Sequence, residues 1–177
     1  EKIQKKAMNC FQVLPFLRLN VHLIQTKTKD TLDKVLNKTF LVTKQRLETF
    51  GINSFVNKTC SHDIKSLSEN IENSVDQGAD VIFVFGASAI SDINDIIPLS
   101  LKANNGNIVR LGMPVEPGNL MLLGKIKTNQ KNITFIGMPG CARSPKENGV
   151  DWILWRIFCG LEVSNKDINQ MGNGGLL

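Results

Sequence analysis

Three short stretches, residues 86–95, 113–118 and 137–145, carry the side chains best suited to holding an anion. In the first, Gly86, Ala87 and Ser88 follow a wholly apolar run. Small residues there let backbone approach a ligand closely, and the amides that open a following helix present partial positive charge. Ser91, Asp92 and Asp95 come next. Placed on the first turns of that helix, Asp92 and Asp95 fall three apart on one face, where they could hold a divalent cation that bridges phosphate oxygens. The same residues serve equally as a helix cap and as acids that favour the helix dipole. In the third stretch Pro139 and Gly140 turn the chain, and Cys141, Arg143 and Ser144 lead into another helix. Guanidinium is suited to two-pronged contact with phosphate, and serine with backbone N–H groups can complete such a site. The alternative is a Pro-Gly turn whose basic residues are simply solvated. Cys141 has no histidine close in sequence, so it reads as a small packed thiol rather than a nucleophile. Pro117 and Gly118 close the middle stretch, a turn.

The elements that would position these loops follow from hydrophobic spacing. Residues 21–26 (VHLIQT) read as a buried strand, followed by a polar loop over 27–38 and a helix capped by Thr39 that runs to about Phe50. Residues 53–57 offer a short second strand. Ser61 or Asp63 can cap a helix whose apolar stripe is Ile64, Leu67, Ile71 and Val75, ended by Gly78. VIFVF, residues 81–85, is apolar on both faces, as a central parallel strand must be. A helix to about Asn105, a strand at 108–111, a hairpin over 120–127 and a strand at 133–137 come next. Asn148 or Asp151 begins a last helix with the stripe Val150, Ile153, Leu154, Ile157 and Phe158, closed by Gly160. Alternating strand and helix predict an α/β fold with a mostly parallel sheet and right-handed crossovers. Ligands of such sheets bind beyond the carboxyl ends of the strands, where all three stretches fall.

Composition narrows the partners. With 42% hydrophobic and 21% charged residues, the chain of 177 residues is expected to form one globular domain. Its net charge of +5 suits an anionic small molecule but is too small for nucleic acid, and no run is long enough to span a membrane. Cys10, Cys60, Cys141 and Cys159 lack CxxC spacing, which fits a reducing cytoplasm rather than a disulfide or zinc framework. There is no P-loop and no GxGxxG fingerprint, against ordinary NTPases and dinucleotide dehydrogenases. Cys60 and His62 form half a metal site with no second pair, so a loop leading into a helix is the simpler reading. His22 reads as a packed strand residue, and Trp152 and Trp155, off the helix stripe, face a partner or neighbouring domain. The chain begins with Glu1 rather than Met and ends in GNGGLL. Residues 1–20 are therefore expected to end a preceding segment, 21–162 to form the domain, and 163–177 to link toward a further carboxyl-terminal domain.

The order of these loops resembles the molybdopterin-binding domain of the MoaB/Mog type, also found in the carboxyl half of MoeA, over roughly residues 21–160. FGASAISDIND (85–95) is similar to that family's strand, glycine-rich turn and aspartate. EPG (116–118) and MPGCA (138–142) are similar to its two later turns. PVEPG with PGCARSPKENG looks especially like a subgroup fused to a molybdenum-cofactor cytidylyltransferase-like domain. The resemblance implies a three-layer α/β sandwich that binds molybdopterin, with Mg²⁺, and that assists nucleotidyl transfer or molybdate insertion. By position, Asp95 would be the catalytic aspartate, Gly86, Ala87 and Ser88 the phosphate-holding turn, and Pro117, Gly118, Pro139 and Gly140 the shaping turns. Its partners would be a pterin and a nucleotide, in a homo-oligomer or beside a fused transferase domain. The sequence departs from the family pattern at Ala87, Cys141 and Ala142, and has no acid after the first strand until Asp30 and Asp33. A CinA-like pyridine-nucleotide hydrolase and a non-catalytic interaction module are the alternative functions on this fold.

Overall fold

VIFVF is apolar at every position because both of its faces are covered. In the computed structural model of the protein, which describes residues 13–172, it forms strand β3 (Val81–Phe85), buried throughout. The other strands are β1 (Val21–Lys27), β2 (Val56–Ser61), β4 (Gly106–Leu111), β5 (Leu122–Lys127) and β6 (Asn132–Met138). The helices are α1 (Asp33–Glu48), α2 (Ile64–Asp76), α3 (Ile96–Ala103), α4 (Gly149–Phe158) and α5 (Asn165–Met171), with a 3₁₀ turn at Gly140–Arg143. One six-stranded sheet runs β2-β1-β3-β6-β5-β4. The block β2-β1-β3-β6 is parallel, while β5 lies antiparallel to both β6 and β4.

Two cores follow from strand alternation. Leu23, Phe83, Phe85, Ile136 and Met138 point to one face, where they meet Leu47 of α1, Ile153 and Leu154 of α4 and Ile168 of α5. Ile24, Ile82, Val84 and Phe135 point to the other, against Leu67 and Ile71 of α2 and Ile97 and Leu101 of α3. Each fully buried side chain of this size contributes roughly 1.5–3 kcal/mol. The chain steps outward from β1 to β2 and then back past β1 to β3. Crossovers of one hand must then use opposite faces, and α1 and α2 do lie on opposite faces. The connections leaving β1 and β3 thus lie on opposite faces, which makes the β1/β3 boundary a topological switch point.

Several boundaries differ from the sequence reading. Helix α1 begins at Asp33, not after Thr39, and its start has no side-chain cap. Thr39 is buried inside the helix with its hydroxyl donating to the Val35 carbonyl at 2.8 Å. Strand β2 lies at 56–61 rather than 53–57, so Cys60 belongs to the strand. Residues 91–95 precede α3 instead of occupying its first turns. The remaining caps are as expected: Asp63 accepts from the Ser66 amide at 2.8 Å, and Asn148 with Asp151 forms a capping box on α4.

Residues 13–20 pack on the domain, with the Leu17 amide donating to the Phe158 carbonyl at 2.7 Å and Phe16 edge-on to Phe50. At the other end Val163 and Ile168 enter the core. Cys10, with the rest of residues 1–12, and residues 173–177 lie outside the described residues. Among the described residues no helix is long and apolar enough to cross a membrane.

Candidate anion-binding site at the carboxyl edge of the sheet

At the switch point the ends of β1, β2 and β3 are tied together by side chains. Thr26, 1% exposed at the end of β1, accepts a hydrogen bond from the Ala87 amide at 2.9 Å. Its Oγ1 lies 2.7 Å from His62 Nδ1, just beyond β2, and His62 Nε2 lies 3.0 Å from Ser88 Oγ, just beyond β3. His62 is half-buried and Ser88 exposed, so the chain of contacts runs from the interior to the surface. Burial is the main influence on the His62 imidazole and holds its pKa below the ordinary value, against the pull of Asp63 and Asp95. Beside His62 opens a cleft of about 630 Å³, lined by Lys27, Lys29, Thr31, Ser61 and Asp63 among others.

The turn after β3 is shaped by a backbone that tolerates no larger residue at its first position. A Cβ on Gly86 would stand 2.6 Å from the Ser88 carbonyl oxygen and 3.0 Å from Ile97 Cδ1. The Gly86 carbonyl accepts from an Arg143 Nη at 2.8 Å, while Arg143 Nε donates to Thr39 Oγ1 at 3.1 Å. The guanidinium lies over the Phe85 ring, 4.9 Å from its centroid. Burial draws its pKa down, and a guanidinium stays cationic regardless. Arg143 is therefore part of the floor under the Gly86 turn, with two of its five donors committed to protein acceptors. The two-pronged phosphate contact expected of it is left to the three N–H groups that remain.

Behind it sits a second guanidinium. Arg46 of α1 reaches Asp151 Oδ1 at 2.5 Å and donates to the carbonyls of Ala142 at 3.0 Å and Ser144 at 3.2 Å. Both side chains are under a tenth exposed, so α1, the 3₁₀ turn and α4 are locked together by a buried ion pair. The middle stretch joins the same corner. Gly118 has φ +127°, and a Cβ there would meet the Gly149 nitrogen at 2.9 Å. The Gly149 amide donates to the Pro117 carbonyl at 2.8 Å, and the Glu116–Pro117 peptide is cis. Cys141 lies beside Glu116 and the Gly118 amide; burial first, then Glu116, raises its thiol pKa, which disfavours a thiolate nucleophile.

Asp92 and Asp95 do not share a helix face. Asp95 Oδ2 accepts from the amides of Ser91 at 2.7 Å and Asp92 at 2.9 Å, and Asp92 Oδ1 accepts from Asn94 at 2.7 Å. These carboxylates are organising their own loop, the local side-chain-to-backbone bonding typical of aspartate in turns. Among the described residues no three of His, Cys, Asp and Glu converge as metal ligands. Each aspartate has one carboxylate oxygen engaged by backbone amides, Oδ2 of Asp95 and Oδ1 of Asp92.

The sequence-named residues thus gather at one edge, with Ser88 and Ala87 outermost, Gly86 and Arg143 beneath, and Cys141 with Gly118 alongside. Pro139 and Gly140 bound the 3₁₀ turn, and Ser144 supplies a carbonyl to Arg46 and a hydroxyl that accepts from the Lys146 amide at 3.3 Å. Sequence reasoning gave no role to Thr26 or Arg46, read Thr39 as a helix cap, and set His62 aside with Cys60 as a loop leading into a helix. Position was the available signal for Thr26 and His62, since each closes a strand at the carboxyl edge.

No protein-family model matches the sequence, and no curated protein matches it. Among solved structures it is similar to the tungsten cofactor synthesising protein MoaB from Pyrococcus furiosus, with TM-score 0.54 and 16% identity. That match covers 80% of this chain and 93% of the other. It is also similar to a protein named for molybdenum cofactor biosynthesis from Corynebacterium diphtheriae, with TM-score 0.52 and 16% identity over 83% of this chain and 100% of that one. At such identities the likeness is one of fold, and this chain has the three-layer α/β architecture of those proteins.

Proposed function

We propose that this chain binds a pterin through its phosphate at the carboxyl edge of β1, β2 and β3, as a step in molybdenum cofactor biosynthesis. The observation that carries the reading is the set of donors at the switch point of a fold shared with two proteins named for this kind of cofactor synthesis. Ser88 offers an exposed hydroxyl, the Gly86–Ser88 turn offers close backbone approach, and the adjoining cleft holds Lys27 and Lys29 alongside Asp33 and Asp63. Arg143 fixes the turn from below and adds a cation within its field. Asp95 and Asp92 hold the loop that follows. These residues bind and orient the ligand, with Asp95 Oδ2 and Asp92 Oδ1 engaged by backbone amides of the loop.

Purification of the intact protein, followed by oxidation and pterin fluorescence, tests the reading. Bound pterin that is released together with phosphate is the expected result. Protein that carries none, and takes none up when incubated with molybdopterin, contradicts it.

A further inference from the structure

The contact between Ser88 and His62 has the outline of a nucleophile and its base: Oγ to Nε2 at 3.0 Å, with the second ring nitrogen held by a third group at 2.7 Å. Counting hydrogens reverses that reading. Thr26 has one hydroxyl proton and two lone pairs, and one lone pair already takes the Ala87 amide. Its side chain is 1% exposed, and among the described residues His62 Nδ1 is the one acceptor within reach of its proton. Were Nδ1 protonated, two donors would face Thr26 Oγ1 and the buried hydroxyl proton would have no partner, which is unfavourable. Nδ1 must therefore accept, which leaves the ring proton on Nε2. Nε2 then donates to Ser88 Oγ, and the Ser88 proton is turned outward.

We infer that Ala87 N–H, Thr26, His62 and Ser88 form a one-way hydrogen-bond wire that fixes the Ser88 hydroxyl as a donor toward an oxyanion, with His62 as a positioning residue and not a base. This deepens the proposed function and rests on it for the identity of the acceptor, a phosphate oxygen. Every bond in the wire points the same way, so each polarises the next and strengthens the terminal donor. The group orienting the ring is a hydroxyl, which does not stabilise an imidazolium as the carboxylate of a hydrolytic triad does. Burial, which disfavours the charged ring, acts in the same direction.

Nitrogen-15 NMR of the imidazoles in the ligand-free protein reads the tautomer directly. The expected result near neutral pH is Nε2–H with unprotonated Nδ1 for His62, told apart from the protein's other histidine by its loss in His62→Gln. An Nδ1–H or doubly protonated ring overturns the wire. Thr26→Val, which removes the hydroxyl, should release the ring into a mixture of tautomers, and Thr26→Ser should restore one form. The second readout is calorimetry with 6-hydroxymethylpterin phosphate. His62→Leu should weaken binding about tenfold, the weight of one hydrogen bond to a charged group. His62→Gln, which returns an amide donor at a similar reach, should recover most of it. Equal affinity for wild type and His62→Leu overturns the positioning role. Wild-type protein that binds no phosphorylated pterin overturns the functional reading and the assigned acceptor with it. A wrong tautomer in protein that does bind overturns the wire alone, so the two failures are distinguishable.

Discussion

Asp151→Ala should be among the most destabilising single changes in this chain, and the contacts say why. Asp151 Oδ1 receives Arg46 Nε at 2.5 Å, and Oδ2 receives the Asn148 amide at 2.9 Å within the capping box of α4. Both charged side chains are nearly excluded from water, at 7% and 9% exposure, so solvent cannot replace what is lost. Removing one partner of a buried pair leaves an uncompensated charge and costs about 3–5 kcal/mol. Loss of the reciprocal cap adds on the order of 1 kcal/mol. Against a total stability of roughly 5–15 kcal/mol, that is about a quarter or more. Urea unfolding followed by circular dichroism measures it. The double variant Arg46→Met with Asp151→Ala supplies the internal check. Removing both charges should be milder than removing Asp151 alone, because the stranded guanidinium is gone; the carbonyls of Ala142 and Ser144 lose their donors, at about 1 kcal/mol each. Asp151→Ala costing under about 1 kcal/mol, or Arg46→Met making it worse by its full separate cost, would refute the reasoning.

Gly86→Ala should cost about 1–3 kcal/mol and shift the Ser88 turn, since the new methyl meets backbone 2.6 Å away that cannot swing aside. Chemical denaturation and the Ser88 amide shift by NMR check both effects, and an unchanged midpoint would contradict the packing. The histidines set a pH dependence. His22 and His62 both have folded pKa values below the ordinary 6.5, each through burial first, with Lys58 and Lys131 adding to the effect at His22. The unfolded chain therefore binds protons that the folded chain refuses, so stability is complete above that value and falls as pH drops through it. Urea midpoints between about pH 8 and pH 5 should decline on the acid side. A flat profile over that window would mean the rings are free to protonate in place.

What could be read from the sequence divides along physical lines. Strand β3 and helix α4 were legible because burial writes itself into them: five apolar residues in a row for one, a stripe with caps at both ends for the other. The first turns of α1 were not, because residues 33–38 are polar and its start lacks a side-chain cap, so the docking of Val42, Arg46 and Leu47 on the sheet decides where it forms. Strand β2 slipped because an edge strand reading VNKTCS buries Cys60 and little else. The loop at 91–95 was mistaken for helix because aspartates that bond their neighbours' amides look the same in sequence as aspartates that cap. The glycines of the three turns, with Arg143, lie at the edge where the site is proposed. The residues that link it, Thr26 and His62, lie 36 positions apart, and only the parallel pairing of β1 with β2 and β3 brings their ends together. Arg143, Gly86 and Thr39 each stand out in the sequence, but nothing there joins them, and their contacts make the guanidinium part of the floor.

Recognition of phosphate is what defines the proposed site at this edge. Calorimetric titration of the wild-type protein with 6-hydroxymethylpterin phosphate and with the same pterin lacking phosphate, repeated on Ser88→Ala, measures that. The phosphorylated compound should bind at least about tenfold more tightly, and Ser88→Ala should erase much of the difference. Equal affinity for the two pterins, or a preference that survives intact in Ser88→Ala, would contradict it.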